Sequence, residues 1–184
     1  IRLSGIIGSV GRFKQGLDFA GQKEIIDKAF SIKKALAVAI SINSPGGSPV
    51  QSHLIYSYIK KQARKNKKKV LVFAEDVAAS GGYLIACAGD EIYANSSSIV
   101  GSIGVIYSSF GLQELIKKAG IERRIHTAGK NKSTLDPFVE EKKEDVERLK
   151  KIQLELHSDF IKVVEDSRSK KIKKDSNPDL FTGE

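Results

Sequence analysis

The fold is decided largely by the stretch Ala35-Leu-Ala-Val-Ala-Ile-Ser-Ile-Asn-Ser-Pro-Gly-Gly47. Its first eight residues are nearly all apolar and include β-branched side chains, a pattern typical of a strand buried on both faces of a sheet. The proline and two glycines that follow predict a tight turn, and such a turn can also leave backbone N–H groups free to face a ligand. In open α/β sheets, ligands bind at turns of this kind, beyond the carboxyl ends of the strands.

The rest of the chain alternates between strand-like and helix-like hydrophobic periods. Further strands are predicted at residues 1–7, 70–74, 91–94, 103–107 and 123–127. Helices are predicted at residues 22–30, 49–65, 80–88, 112–119 and 141–167. On the second of these helices, Val50, Leu54 and Tyr58 share one apolar stripe. This alternation predicts a layered α/β domain.

The composition is that of a globular domain with a marked basic excess. The 184 residues are 40% hydrophobic and 29% charged, enough for one domain with a core and too apolar for disorder. The formal net charge is +9, and most of the excess lies in residues 60–69 and 168–174. Neither run has interleaved aromatics or a nucleic-acid module signature, so we expect solvated surface and no nucleic-acid partner. Weak attraction to anionic lipid headgroups stays open.

The cysteine and methionine content bears on disulfides, metal sites and the extent of the chain. The single cysteine, Cys87, excludes an intramolecular disulfide and a multi-cysteine metal site. Its apolar neighbours predict a buried, inert thiol. Methionine is absent even from position 1, so we expect the chain to be part of a longer protein.

A second glycine-containing segment, Ala78-Ala-Ser-Gly-Gly-Tyr83, contains a candidate nucleophile. A serine at the start of an apolar helix has its hydroxyl near the positive helix end, and the N–H of Gly81 is well placed to stabilise an oxyanion. Because position 78 is alanine, the segment is not a G-x-S-x-G nucleophile elbow. Taken alone, it is more simply interpreted as helix capping by the Ser80 side chain.

A serine nucleophile needs a base, and the sequence offers two kinds. His53 and His157 fall within predicted helices and are expected at the surface, whereas His126 ends a predicted strand and is a credible histidine base. A lysine can replace histidine if its amine is neutral at the working pH. Lys132 is the candidate, because the apolar residues that follow it in the segment 129–138 can wall a pocket.

Together these segments resemble the signal peptide peptidase family, membrane-anchored bacterial serine peptidases with the Clp/crotonase-like layered fold of repeated β-β-α units. The resemblance covers nearly the whole chain. It includes the Ser-Pro-Gly-Gly turn, the Ala-Ser-Gly-Gly-Tyr segment, Val100-Gly-Ser-Ile-Gly-Val105, Asn131-Lys-Ser-Thr-Leu-Asp-Pro-Phe138 and Leu180-Phe-Thr-Gly-Glu184. Asn131 and Asp136 stand where the family has tyrosine and glutamate, which affects details of the lysine pocket.

The resemblance implies a serine endopeptidase with a Ser–Lys dyad and no metal or cofactor. Ser80 would be the nucleophile and Lys132 its general base. Gly47 and Gly81 would supply oxyanion-hole N–H groups, and Ser102 would orient the lysine amine. The implied substrates are cleaved signal peptides or other membrane-associated peptides.

The resemblance also implies a cellular setting and an assembly. Residues 1–184 would form a single peptidase domain of a protein whose N-terminal membrane anchor and C-terminal helix are missing here, on the outer face of the bacterial cytoplasmic membrane. Subunits would form a ring in which the lysine of one completes the site of its neighbour. The alternatives are an inactive scaffold or an acyl-CoA-type enzyme of the same fold. A Clp-type histidine base is disfavoured, because Val105 occupies the position where that histidine is expected.

Overall fold

The protein is described by a computed structural model that covers residues 1–8, 16–129, 131–169, 171–172 and 179–183. Within the second basic run, residues 168–174, three lysines lie outside the described residues, namely Lys170, Lys173 and Lys174. The chain divides into two compact units. Unit 1 comprises Ile1–Gly104 and His157–Glu184, and unit 2 comprises Val105–Leu156.

Unit 1 is built on a five-stranded sheet in which every pairing is parallel. The strands are β1 Arg2–Ser4, β2 Ala37–Ser44, β3 Lys69–Ala79, β4 Glu91–Ala94 and β5 Ile99–Gly101. The order is β1-β2-β3-β4, and β5 pairs with the last part of β3, beyond β4. Since all strands run the same way, their carboxyl ends share one edge of the sheet, which we call the carboxyl edge.

The helices are α1 Phe19–Ser31, α2 Pro49–Asn66, α3 Gly81–Ala86, α4 Gln113–Lys118 and α5 Lys143–Arg168. The Asp18 carboxylate caps α1 by accepting a hydrogen bond from the Gly21 N–H at 2.8 Å. Helix α2 begins with a proline at its first position and ends at Lys67 in the left-handed conformation, which terminates helices. Among the described residues, no helix combines the length and apolar character needed to cross a bilayer.

The main core lies between one face of the sheet and helices α1 and α2. Strand residues Val38, Ile40 and Ile42 alternate inward and pack with buried helix residues such as Ile26 and Ile59. The prediction that this strand is buried on both faces was wrong for the described residues. A parallel strand is buried on both faces only when other elements of the protein cover both faces of its sheet. On the face opposite the core, Ala39 is exposed.

A second cluster joins α3 to the long helix. Leu84 and Cys87 pack with Ile103, and with Phe160 and Val164 of α5. The prediction of a long amphipathic helix at 141–167 is therefore confirmed, with one face buried at these positions. Helix α5 begins in unit 2 and ends in unit 1.

Three other local predictions were wrong. Residues 103–107 and 123–127 are not strands, and β5 instead occupies Ile99–Gly101 beside β3. On α2, Val50 and Leu54 are exposed, and the buried face carries Ser52, Ile55, Ile59 and Gln62. At residues 103–107 and on α2, tertiary contacts override the local pattern, because strand formation depends on a pairing partner and helix burial on the packed face.

Candidate active site

Three of the predicted segments meet at the carboxyl edge of unit 1. Ser44 is in register with Ala78, and Ala79 is in register with Gly101. The turn after β2, Ser80 after β3 and Ser102 after β5 are therefore neighbours across adjacent strands. The Ser80 N–H donates a hydrogen bond to the Gly101 carbonyl at 2.8 Å, which fixes the segment that carries Ser80 to β5.

Ser80 adopts a strained backbone at the junction of β3 and α3. Its φ is 51° and its ψ is −123°, a region that costs a non-glycine residue on the order of 1–3 kcal/mol. Its carbonyl accepts the Leu84 N–H at 2.9 Å, yet its side chain makes no capping bond to α3. The helix-capping interpretation was therefore wrong. Among the described residues no group hydrogen-bonds the half-buried Ser80 hydroxyl.

The glycines beside Ser80 are required by close packing. A Cβ on Gly46 would lie 2.8 Å from both the Gly81 nitrogen and the Ser80 Cβ. A Cβ on Gly81 would overlap the Ser52 hydroxyl at the start of α2. Only residues without a side chain allow the turn after β2 to press against the start of α3.

Two backbone N–H groups beside Ser80 remain free. Ile7 brackets the turn, because its N–H donates to Gly46 and its carbonyl accepts the Ser48 N–H, each at 2.8 Å. The Gly47 N–H between these bonds, and the Gly81 N–H, have no acceptor among the described residues. Unpaired N–H groups beside a serine are the kind of donors that stabilise an oxyanion.

Ser102 follows β5 directly, also in a left-handed conformation, with φ 53°. The next residue, Ile103, is fully buried and its carbonyl accepts a hydrogen bond from His157 Nε2 at 2.9 Å. His157 is half-buried, so the expectation of a surface residue was wrong. Its contact with Ile103 holds the segment that carries Ser102 against α5.

Sequence reasoning missed Arg168, at the end of α5. Its side chain is buried and donates to the Gly89 carbonyl, and to Asp90 at 3.5 Å, in the turn that follows α3. These hydrogen bonds give backbone carbonyls of the turn between α3 and β4 a charged donor. Nothing in the sequence pattern distinguishes this arginine from its basic neighbours. In the same region, burial raises the pKa of Tyr83 to about 12 and raises the pKa of the Cys87 thiol.

Lys132 belongs to unit 2, where it is exposed. Its N–H donates to the Gly129 carbonyl at 3.2 Å. The same loop is braced by Asp136, which accepts the Phe138 N–H and an Arg123 N–H, each at 3.0 Å. The pKa of Asp136 lies below its ordinary value, mainly because of the hydrogen bond from the Phe138 N–H and, to a smaller extent, because of the Arg123 guanidinium.

The predicted site residues are thus divided between the two units. Gly47, Ser80, Gly81 and Ser102 lie together in unit 1, and Lys132 lies in unit 2. The alternative base, His126, also lies in unit 2 and is exposed.

Comparison with solved structures identifies the fold. A mutant of ClpP1 from Listeria monocytogenes matches 92% of this chain and 71% of its own, with a TM-score of 0.51 at 12% sequence identity. This likeness confirms the α/β, Clp-like fold that the sequence predicted.

Comparison with curated proteins gives one group of relatives named as antiporters and another named as proteases. The chain is 59% identical over 184 residues to the Na(+)/H(+) antiporter NhaA of Brucella melitensis biotype 1, matching 25% of that protein. It is 38% identical over 130 residues to the chloroplastic serine protease SPPA of Arabidopsis thaliana, matching 19% of that protein and 67% of this chain. The chain therefore spans a quarter or less of the length of these two relatives.

The family comparison covers all the candidate residues except Gly47. The model described as Peptidase family S49 matches residues 62–184, a segment that includes Ser80, Ser102 and Lys132. Serine protease SPPA and a probable protease SohB of Buchnera aphidicola, 32% identical over 117 residues, are consistent with the signal peptide peptidase resemblance. By its sequence match, this chain belongs to peptidase family S49.

Proposed function

We propose that the chain is the catalytic part of a serine endopeptidase in which Ser80 is the nucleophile and Lys132 the general base. The observation that carries the proposal is the setting of Ser80. It combines a strained strand–helix junction, a hydroxyl with no partner among the described residues, and two free N–H groups beside it. Backbone strain of this kind concentrates at functional sites, and membership of family S49 supports peptide hydrolysis.

The reaction proceeds in two balanced steps. Ser80 Oγ attacks the scissile carbonyl carbon while its proton passes to the Lys132 amine. The tetrahedral intermediate collapses when the C–N bond breaks, and the leaving amine takes that proton from lysine. Water then attacks the carbonyl carbon of the acyl-enzyme and gives a proton to Lys132. The ester bond to Ser80 breaks, Ser80 Oγ takes that proton from Lys132, and the acid product is released.

We propose two further roles, which the family resemblance supports. The Gly47 and Gly81 N–H groups donate to the oxyanion that develops during each attack. Ser102 accepts a hydrogen bond from the lysine amine and orients it. The segment that holds Ser102 is fixed by the Ser80–Gly101 bond on one side and by the His157–Ile103 bond on the other.

The substrates we propose are extended, membrane-associated peptides such as cleaved signal peptides, processed on the outer face of the bacterial cytoplasmic membrane. The chain acts as a single peptidase domain of a longer, membrane-anchored protein. The resemblance to the signal peptide peptidase family supports both statements.

Covalent labelling tests the nucleophile. A serine-directed fluorophosphonate should modify Ser80 alone, located by mass spectrometry of a tryptic digest. Ser80→Ala should abolish labelling, whereas Ser96→Ala, at an exposed serine of the same unit, should leave it unchanged. Labelling elsewhere, or none on a chain shown to be folded, refutes the proposal and favours an inactive scaffold.

Peptide hydrolysis tests the base. Lys132→Ala should reduce turnover of an unstructured peptide by several orders of magnitude, since the nucleophile then lacks its proton acceptor. His126→Ala should retain most of the activity. If His126→Ala is folded and inactive while Lys132→Ala is active, the base is histidine and the dyad is wrong.

Subunit mixing tests the assembly. We propose a ring-like homo-oligomer in which Lys132 of one subunit completes the site of Ser80 in the next, through a head-to-tail contact that closes on itself. Mixing inactive Ser80→Ala and Lys132→Ala chains should then restore part of the activity, because some interfaces carry both intact residues. Absence of complementation despite demonstrated subunit exchange contradicts the shared site.

A further inference from the structure

The edge of unit 1 opposite the candidate site has an unusual surface, which we call the basic edge. It consists of the loop 32–36 before β2, the loop residues 67 and 68 before β3, and Lys69, the first residue of β3. The two loops lie side by side, because Ala37 and Lys69 are in register. The Lys68 amine ties them together by donating to the Phe30 carbonyl at 2.8 Å and the Ile32 carbonyl at 2.6 Å.

Two large aliphatic side chains project from this edge. Ile32 is 57% exposed and Leu36 is 90% exposed. Single exposed hydrophobic residues are ordinary on protein surfaces. Here, however, two lie on one short loop, and between them stand the exposed Lys33 and Lys34.

The lysines of the basic edge are mostly without counterions. Among the described residues, Lys33, Lys34 and Lys67 have no carboxylate within ion-pair distance. Lys69 has only Glu91, at 4.0 Å. The edge therefore combines exposed aliphatic side chains with unneutralised positive charge.

We propose that the basic edge docks on an anionic lipid bilayer, with Ile32 and Leu36 entering the interface and the surrounding lysines contacting headgroup phosphates. Interfacial binding of this kind depends on buried apolar area together with attraction to anionic lipids. Single-stranded nucleic acid is the less suitable partner, because it rewards aromatic stacking and neither loop contains an aromatic residue. This inference does not depend on the role proposed for Ser80.

Docking in this way would orient the candidate site away from the membrane. Strand β3 runs from Lys69 at the basic edge to Ala79, next to Ser80. At about 3.3 Å per residue its eleven residues span roughly 33 Å. The carboxyl edge would then sit at that height above the headgroups, where it receives chain segments that extend out of the bilayer.

The absence of tryptophan from the sequence allows a direct insertion assay. Leu36→Trp places a single reporter on the basic edge, and Ile99→Trp is the matched control. Ile99 is 65% exposed in the same unit and pairs with Val77, eight residues along β3 from Lys69, or roughly 26 Å. With phosphatidylglycerol–phosphatidylcholine vesicles, the Leu36→Trp emission should shift to the blue and be quenched by brominated acyl chains. The Ile99→Trp emission should not change, and vesicles of phosphatidylcholine alone should affect neither.

Removing charge at two different places separates the contribution of the basic-edge lysines to lipid binding from the effect of net charge. The double variant Lys33→Gln/Lys34→Gln should weaken partitioning in vesicle co-sedimentation by about fivefold per lysine, or about 25-fold together. Lys117→Gln/Lys118→Gln, an exposed pair on α4, removes the same charge and should change partitioning little. Circular dichroism melts confirm that each variant is folded.

Three outcomes overturn the proposal. Equal losses in the two double variants would show that binding reflects net charge alone. An unshifted Leu36→Trp spectrum on bound protein would show that no insertion occurs. Loss of oligonucleotide binding with Lys33→Gln/Lys34→Gln, with vesicle binding unchanged, would assign the surface to nucleic acid.

Discussion

Replacing Gly81 by alanine tests the packing that positions Ser80. The new Cβ would overlap the hydroxyl of Ser52, which is fully buried and donates to the Ser48 carbonyl at 2.9 Å. The simplest relief is rotation of the Ser52 hydroxyl, which breaks that bond and leaves a buried polar group unsatisfied. Such a group costs about 1–3 kcal/mol, and overpacking costs a similar amount. We therefore expect Gly81→Ala to lower the free energy of unfolding by about 2 kcal/mol.

Removing the Ser52 hydroxyl should relieve the overlap. Ser52→Ala alone loses one hydrogen bond, about 1 kcal/mol, and the Ser48 carbonyl still accepts the residue-52 N–H at 3.1 Å. In the double variant the nearest neighbours of the new Cβ are the residue-52 Cβ and the Ile7 Cδ1, both at 3.3 Å. The double variant should therefore be more stable than the sum of the two single effects predicts, by about 1–2 kcal/mol.

Urea unfolding of the four proteins measures this coupling, and any change in helix propensity at position 81 cancels in the cycle. The rate of phosphonate labelling at Ser80 gives a second readout. It should fall in Gly81→Ala and recover partly when Ser52→Ala is added, because the start of α3 returns toward its native position. Additive stabilities, within about 0.5 kcal/mol, would refute the claim that the Ser52 hydroxyl fixes the space beside Gly81.

Three further predictions test other parts of the chain. Ile59→Ala, at a fully buried core position, should lower the free energy of unfolding by about 2–5 kcal/mol in urea titrations; a loss under about 1 kcal/mol would contradict the described core. The pKa of Asp136 is lowered in the folded protein. Its stabilising contribution is therefore present above the unfolded carboxyl pKa, about 3.9, and lost as pH falls below it. Wild type should accordingly lose more stability than Asp136→Asn between about pH 5 and pH 3, and equal acid sensitivity would exclude a role for Asp136. Because burial raises the pKa of the Cys87 thiol, Ellman's reagent at neutral pH should leave it unmodified in the native protein and react fully in denaturant.

The sequence predicted correctly those strands and helices whose hydrophobic pattern agrees with the face that is buried in the folded protein. Strand β4 was predicted with the bounds it has, and α5 within two residues at either end. The segment that carries Ser80 could be singled out because its serine and glycines lie between an apolar strand pattern and an apolar helix pattern. The likeness of its neighbours to a known family then placed Gly47 and Ser102 beside it.

The remaining features depend on contacts between residues distant in sequence. The apolar run at 103–107 has strand composition, yet Ile103 is buried against α5 and the pairing position beside β3 is taken by β5. His157 looked like a surface residue because its acceptor, Ile103, lies 54 positions away in the chain. The unusual backbone of Ser80 leaves no mark on composition or period, since strain is visible only in the dihedral angles.

The hydrogen bond between His157 and Ile103 also shows that the two chain ends of unit 2 leave unit 1 close together. Unit 1 ends its first segment at Gly104 and resumes at His157, so the chain leaves and re-enters it at adjacent points. Segments with such neighbouring ends can be exchanged between relatives without disturbing the parent sheet, provided here that α5 stays continuous from Leu156 to His157. If the proposed dyad is correct, the nucleophile belongs to the scaffold and the base to a replaceable insertion. Grafting Val105–Leu156 from another family member would then exchange the base and its surroundings in one step, while Ser80 and its N–H donors stay in place.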